Sequence, residues 1–312
     1  MEHKYQNLYN NPRLLYKYYS LSKEYAVEYK MGSQVNYLFT PNIPKMDMEK
    51  NNKVVDKWRL IVFKGLLFYS SPAFFNDPFD SALPSVPEVT PTIDERKSII
   101  EELKQIHKVK KEDIDRLLIC DDFDTSFMMV LNKMGISDEI QDEIFKTQKK
   151  IGKRYKEEIA TVCFSEINNS DLMWAHYANS YSGFCVAYDF TKILDPDFRR
   201  GIGKVIYSDK RPNEREFSNN YDYTKAVLAT KAPCWEYEKE WRSVQYVAYK
   251  LYSKKIYPIF DVKDCITSVY LGCNMPLNYQ EEIICHYKNS SVKVYNMVLD
   301  EDEFKYKFVQ CN

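Results

Sequence analysis

ATVCFSEINNSDLMWAHYANSYSGFCVAYDF, residues 160–190, decides the fold class. Its ends, ATVCFS (160–165) and GFCVAYDF (183–190), are short runs of β-branched, aromatic and small apolar residues and read as strands. Between them Ser170 is a good N-cap, and Asp171 suits the positive end of a short helix, DLMWAHY (171–177). Leu172 and His176 are four apart, as are Met173 and Tyr177, so the imidazole shares a helical face with a leucine. One reading makes His176 a satisfied core residue. The other makes Trp174, His176 and Tyr177, beside Glu166 at the strand end, a platform that stacks and hydrogen-bonds a ligand ring.

Downstream, GKVIYS, WRSVQYVAY, KIYPIFDV, ITSVYLG and VKVYNMV continue the β-like pattern, with helices expected around 219–231 and 277–288. Upstream, LLYKYYS (14–20) reads as a strand, and SKEYAVEYK (22–30) as a helix capped by Ser20 or Ser22. Residues 34–56 read as a polar excursion with Pro41 and Pro44. VVDKWRLIVFKG (54–65) is spaced for a helix ending near Gly65, and LLFYSS (66–71) is a further strand. The three prolines of SALPSVPEVTPT (81–92) break regular structure. Ile93, Ile99, Ile100, Leu103 and Ile106 then mark one helical face, and Ile136, Ile140, Ile144, Ile151 and Tyr155 another. The expectation is therefore an α+β domain from residues 1–83 and 160–312, with a helical insertion over 84–159.

Composition narrows the chemistry. A net charge of -1 over 312 residues provides no global field for nucleic acid or an anionic membrane. No run of about 18 apolar residues occurs, and the opening MEHKYQNLYNNPR lacks signal-peptide features, so a cytoplasmic protein without membrane partners is expected. Eight cysteines stand singly with no C-x-x-C, which suits reduced thiols; Cys285 beside His286 has no second pair at metal-ligand spacing. Eight glycines form neither G-x-G-x-x-G nor a P-loop. The 26 tyrosines are given no weight as a group.

Two further segments carry polar groups. In FNDPFD (75–80) a turn before proline would project Asn76, Asp77 and Asp80 together while the phenylalanines anchor it. In WEYEKEWR (235–242), a strand over 238–247 would align Glu238, Glu240 and Arg242 on one face. Such charges need either solvent or a polar cleft, where a carboxylate can act on a sugar hydroxyl or steady an oxocarbenium ion.

The succession LYKYYSL (15–21), LLFYSSPAFFNDPFD (66–80), VCFSE (162–166), MWAHYANSYSGFCVAYDF (173–190), WEYEKEWRSV (235–244) and ITSVYLG (266–272) resembles the bacterial family known as domain of unknown function 2971, over most of the chain except 84–159. The family name carries no activity. A weaker similarity runs toward ADP-ribosyltransferases, which bind NAD without a glycine loop in a cleft between sheet halves, so it implies a mixed or antiparallel split sheet forming a cleft. That resemblance implies matches at Lys17-Tyr18, Tyr69-Ser70-Ser71 and Glu238 with Glu240. Glu240 would orient the nicotinamide ribose, Tyr18, Tyr69 or Tyr177 would stack on nicotinamide, and Lys17 or Arg242 would meet the pyrophosphate. FNDPFD and MWAHY have no counterpart in the generic transferase pattern.

Three functions are compatible with these readings. One is an NAD-consuming transferase, in bacterial defence or stress, taking a small nucleotide ligand with a protein or nucleic-acid acceptor. Another is a non-catalytic sensor or partner-binding module. The third is a metal-dependent hydrolase or nuclease using Asp77, Asp80, Glu166, His176 and Glu240 with Mg²⁺ or Mn²⁺.

Overall fold

The computed structural model describes residues 13–21, 24–31, 34–39, 53–81, 93–106, 109–120, 123–135, 156, 159–193, 198, 201–213, 216–217, 220–246 and 259–312. The expected helix at 136–155 and the connector at 82–92 lie outside them. The chain divides into two compact units, one of residues 1–81, 155–210 and 228–312, the other of 82–154 and 211–227.

The first unit is built on an eight-stranded sheet. Its strands are β1 (Leu14–Tyr19), β2 (Ile159–Ser165), β3 (Phe184–Asp189), β4 (Ile202–Lys204), β5 (Glu240–Tyr246), β6 (Ile266–Leu271), β7 (Lys293–Leu299) and β8 (Tyr306–Gln310). They lie in the order β8-β7-β6-β3-β1-β2-β5-β4, antiparallel except for the parallel pair β6 and β7. β8 has no counterpart among the sequence expectations.

The sheet is divided in its middle. β1 pairs with β3 along all six residues and β2 with β5 along all seven, but β1 and β2 meet at the single pair Tyr16–Ser165. Backbone groups exposed by this parting need other partners. Ser70 supplies them at Thr161, in both directions, at 3.1 and 2.8 Å. Lys17 Nζ supplies another by donating to the Cys163 carbonyl at 2.9 Å.

One face of the sheet carries the main core. Helices α1 (Lys57–Lys64) and α3 (Leu277–Tyr287) belong to it, burying Trp58, Leu60, Ile61, Ile283 and Tyr287 with Leu15, Phe164 and Val186. α1 stops where expected, because Gly65 takes the left-handed conformation at φ 66. On the other face α2 (Asp171–Tyr177) buries Met173 and Trp174 against Tyr18 and Cys185. Ser170 caps α2 by accepting from the Met173 N–H. Asn179, Ser180 and Tyr181 then take left-handed conformations in succession and turn the chain toward β3. The Tyr181 carbonyl passes so near Gly272 that a Cβ there would sit 2.0 Å from it.

Two local expectations fail. The helix expected over 22–30 is replaced in its described part by a strand, Tyr25–Met31, which lies between Gln34–Phe39 and Lys53–Asp56, so the supposed polar excursion also supplies strands. Hydrogen bonding to neighbours on both sides outweighs the helix preference of Lys, Glu and Ala. The other failure concerns 238–239, which precede the strand instead of belonging to it.

In the second unit, helices Ile93–Ile106, Lys111–Ile119 and Phe123–Lys133 bury Ile100, Leu103, Leu117, Phe123, Val130 and Leu131. Arg96 closes the end of the middle helix by donating to the carbonyls of Leu117, Leu118 and Cys120. Among the described residues no helix is long and apolar enough to cross a membrane.

Candidate functional site

The alternation of β5 sets Glu240 and Arg242 opposite Ser165 and Cys163, on the face that carries α2; Trp241 and Ser243 point into the main core. Glu238 reaches the same place by another route. Pro233–Glu238 is a 3₁₀ helix, and Lys239, left-handed at φ 46 and ψ 52, turns the chain into β5. The turn is fastened to β2, since Ser165 Oγ donates to the Glu238 carbonyl at 2.6 Å and the Glu166 N–H to the Lys239 carbonyl at 3.1 Å.

Asp80 arrives from the FNDPFD turn. Asp77 Oδ1 accepts from the Phe79 N–H at 2.8 Å, so Asp77 shapes the turn and Asp80 carries its charge inward. The expected anchoring by phenylalanines holds only in part: Phe79 is exposed, whereas the Phe75 ring lies 5.6 Å from the Arg242 guanidinium.

These groups make a buried ionic cluster. Arg242 donates in fork geometry to both oxygens of Asp80, at 2.7 and 2.6 Å, and to both of Glu240, at 2.7 and 2.9 Å. Its remaining N–H meets the Leu228 carbonyl at 2.8 Å. Lys231 Nζ lies 2.5 Å from Glu238, 3.2 Å from Glu240 and 3.5 Å from Asp80. Tyr177 Oη donates to the second Glu238 oxygen at 2.6 Å. Three carboxylates thus face two cations, and all five side chains are at most 5% exposed.

The cluster drives its two glutamates apart. Burial alone would raise the Glu240 carboxyl, but Arg242 and Lys231 together hold it down, to about 2. The Glu238 carboxyl is raised, first by burial and next by the Glu240 carboxylate, against the pull of Lys231. Burial likewise raises the Cys163 thiol, with the Glu240 charge adding to it. Burial lowers the Lys17 ammonium.

A cavity of about 220 Å³ opens above the cluster at the parting of β1 and β2. Tyr16, Tyr18, Phe75 and Tyr177 give it aromatic walls, and Glu238 and Glu240 form its acidic floor. Thr161, 2% exposed, lines it too, and its Oγ1 has no hydrogen-bond partner among the described residues. A buried hydroxyl left unpaired is uncommon and is satisfied once a ligand supplies a polar atom.

Of the residues singled out from sequence, Lys17, Tyr18, Ser70, Asn76, Asp80, Tyr177, Glu238 and Glu240 line this cavity, with Arg242 behind the carboxylates. Four do not. His176 is exposed, because a helix that turns Met173, Trp174 and Tyr177 inward leaves it on the outside, 6.5 Å from the Tyr237 ring. Trp174 is fully buried, donates to the Asn168 carbonyl and packs edge-on to Tyr18. Tyr69 is fully buried on the opposite face against Ser243, and Asp77 is occupied by its turn. Glu166 is held elsewhere by Lys204 and Trp241. The five ligands expected for a divalent metal therefore do not converge, and the described residues contain no cluster of three or more His, Cys, Asp or Glu groups suited to one. Sequence reasoning missed Lys231, Cys163 and Thr161. A lone lysine in ATKAPC and two small residues inside a strand carry no spacing signal.

No curated protein and no solved structure matches the chain. Residues 173–243, which carry Tyr177, Lys231, Glu238, Glu240 and Arg242 but not Asp80, match the family model described as Protein of unknown function (DUF2971).

Proposed function

We propose that the cleft binds a nucleotide through its ring and sugar and that the protein is an NAD-consuming ADP-ribosyltransferase-like enzyme, with Glu238 as the reacting carboxyl. The observation that carries this reading is the Glu238 and Glu240 pair, whose surroundings separate their proton affinities at the floor of an aromatic-walled cavity. Glu240, kept ionised, steadies positive charge as the bond between ribose C1′ and the nicotinamide nitrogen breaks. Nicotinamide leaves neutral, taking the bonding electrons. The acceptor's lone pair forms the new bond at C1′, and the Glu238 carboxylate, whose proton affinity burial and Glu240 raise, takes the acceptor's proton. The aromatic walls suit the charged pyridinium, and Thr161 Oγ1 is placed to bond a ribose hydroxyl or the carboxamide. Relative to the expectation from sequence, the chemical role moves from Glu240, both of whose oxygens are held by Arg242, to Glu238.

Nicotinamide release from NAD tests this directly. The expected result is release by the unaltered protein and a loss of about 100-fold or more in kcat for Glu238→Gln, with KM nearly unchanged. Tyr177→Phe, which removes one hydrogen bond to Glu238, should cost about tenfold while leaving the fold intact. Equal turnover by wild type and Glu238→Gln would sink the assignment. A second reading, a sensor that binds without turnover, is favoured by the saturation of Asp80 and Glu240 by Arg242. NAD binding without nicotinamide release would select it.

A further inference from the structure

The cleft does not end at the sheet. A second cavity, of about 240 Å³, is bounded by Tyr19, Glu24, Lys57, Trp58 and Ile61. Tyr19, Trp58 and Ile61 belong to the main core, whereas Tyr16, Met173 and Tyr177 of the first cavity lie on the α2 side, so the two cavities open on opposite faces. Lys17, Tyr18, Phe68 and Ser70 are walls of both. These residues stand at the parting of β1 and β2, where one backbone pair joins the half-sheets.

The charges at the two ends differ. Around the first cavity three carboxylates meet Lys231 and Arg242, Lys17 stands at the shared wall, and around the second, among the described lining residues, Lys17 and Lys57 meet the carboxylate of Glu24. Lys17 Nζ donates to the Cys163 carbonyl and lies over the Tyr19 and Phe164 rings, and Lys57 lies 2.7 Å from Glu24. Glu24 is the more exposed member of that pair, 41% against 17%, so water can receive its carboxylate when a stronger anion approaches Lys57. Burial lowers both lysine ammoniums, and the Lys57 charge lowers Lys17 further, penalties that a bound dianion offsets.

We infer that the two cavities form one passage through the divided sheet, and that Lys17 and Lys57 hold the phosphate or pyrophosphate end of a ligand whose ring and sugar end lies against Glu238 and Thr161. The identity of the ring end rests on the function proposed above; the anion site does not. Lys57 is the residue that no sequence pattern marked, and it is a binding residue, not a participant in bond breaking.

Calorimetric titration with inorganic pyrophosphate tests the anion site without reference to turnover. Wild type should bind it, Lys57→Gln should bind at least about tenfold more weakly, and Glu24→Gln should bind several-fold more tightly. The gain in Glu24→Gln separates an anion site from a structural ion pair, whose loss would not improve binding. Equal affinity in all three proteins, or no heat from wild type up to about 10 mM pyrophosphate, overturns the inference. Nicotinamide release is read separately on the same proteins. The calorimetric pattern without release leaves the anion site standing and removes the transferase reading; release with an unchanged KM for NAD in Lys57→Gln does the reverse.

Discussion

Arg242 has five N–H donors, and carboxylates of Asp80 and Glu240 and one carbonyl accept all of them. Removing this side chain would leave two buried carboxylates facing each other, so Arg242→Met should destabilise the protein by about 3–5 kcal/mol, measured by chemical denaturation. The same contacts set an acid limit. The Glu240 carboxyl, held down to about 2 in the folded protein by Arg242 and Lys231, lies below its ordinary value of 4.5, so its contribution is present above about 4.5 and is lost as pH falls toward about 2. Glu238 acts with the opposite sign: its raised carboxyl favours folding while protonated, and that contribution fades as pH rises through the raised value. Denaturation midpoints followed from pH 5 to pH 2 should therefore fall steeply in wild type and less steeply in Glu240→Gln, from a lower starting stability. At this scale the sequence was informative wherever charge fell at regular spacing, as in Glu238, Glu240 and Arg242. It was silent where a residue matters only through a distant neighbour, as Lys231 does through Asp80. His176 shows the converse, since four-residue spacing from Leu172 identified a shared face correctly and the face is the exposed one.

Elements were legible in proportion to their local signals. α1 with its Gly65 stop, α2 with its Ser170 cap and the runs at 160–165 and 184–189 are written in caps and apolar patterns. Tyr25–Met31 was not, because its strand character comes from partners on both sides. The Glu238 approach was also hidden: a strand would place 238 and 240 on one face by alternation, whereas the structure converges them through the left-handed Lys239. That geometry predicts a specific tolerance. Lys239→Gly should change stability by less than about 1 kcal/mol, strain relief offsetting the freer unfolded chain, while Lys239→Val should cost about 1–3 kcal/mol, because a β-branched residue resists φ 46. Thermal unfolding of the two variants reads the difference.

Across the whole molecule, the α+β class follows from strands at both ends of the sequence with helices bunched between them. The parting of the sheet is a long-range property. It depends on β1 and β2 being 140 residues apart in sequence and meeting once, and on Ser70 and Lys17 closing what the ladder leaves open. No local window contains that information, which is why the cavity was foreseen only through resemblance. The segment that matches the family model supplies four of the five charged cluster residues and the tyrosine that bonds Glu238, while Lys17 and Lys57 of the second cavity lie outside it.

Cys163 gives the divided sheet a clock. Its thiol sits in the cavity wall beside Glu240, and burial keeps it protonated far above the ordinary thiol range. With the exposed Cys234 and Cys285 replaced by serine, slow alkylation at Cys163 would time how often reagent enters the parting between β1 and β2. Saturating NAD should lengthen that time, so occupancy of the cavity is read as slower labelling of the Cys163 peptide by mass spectrometry.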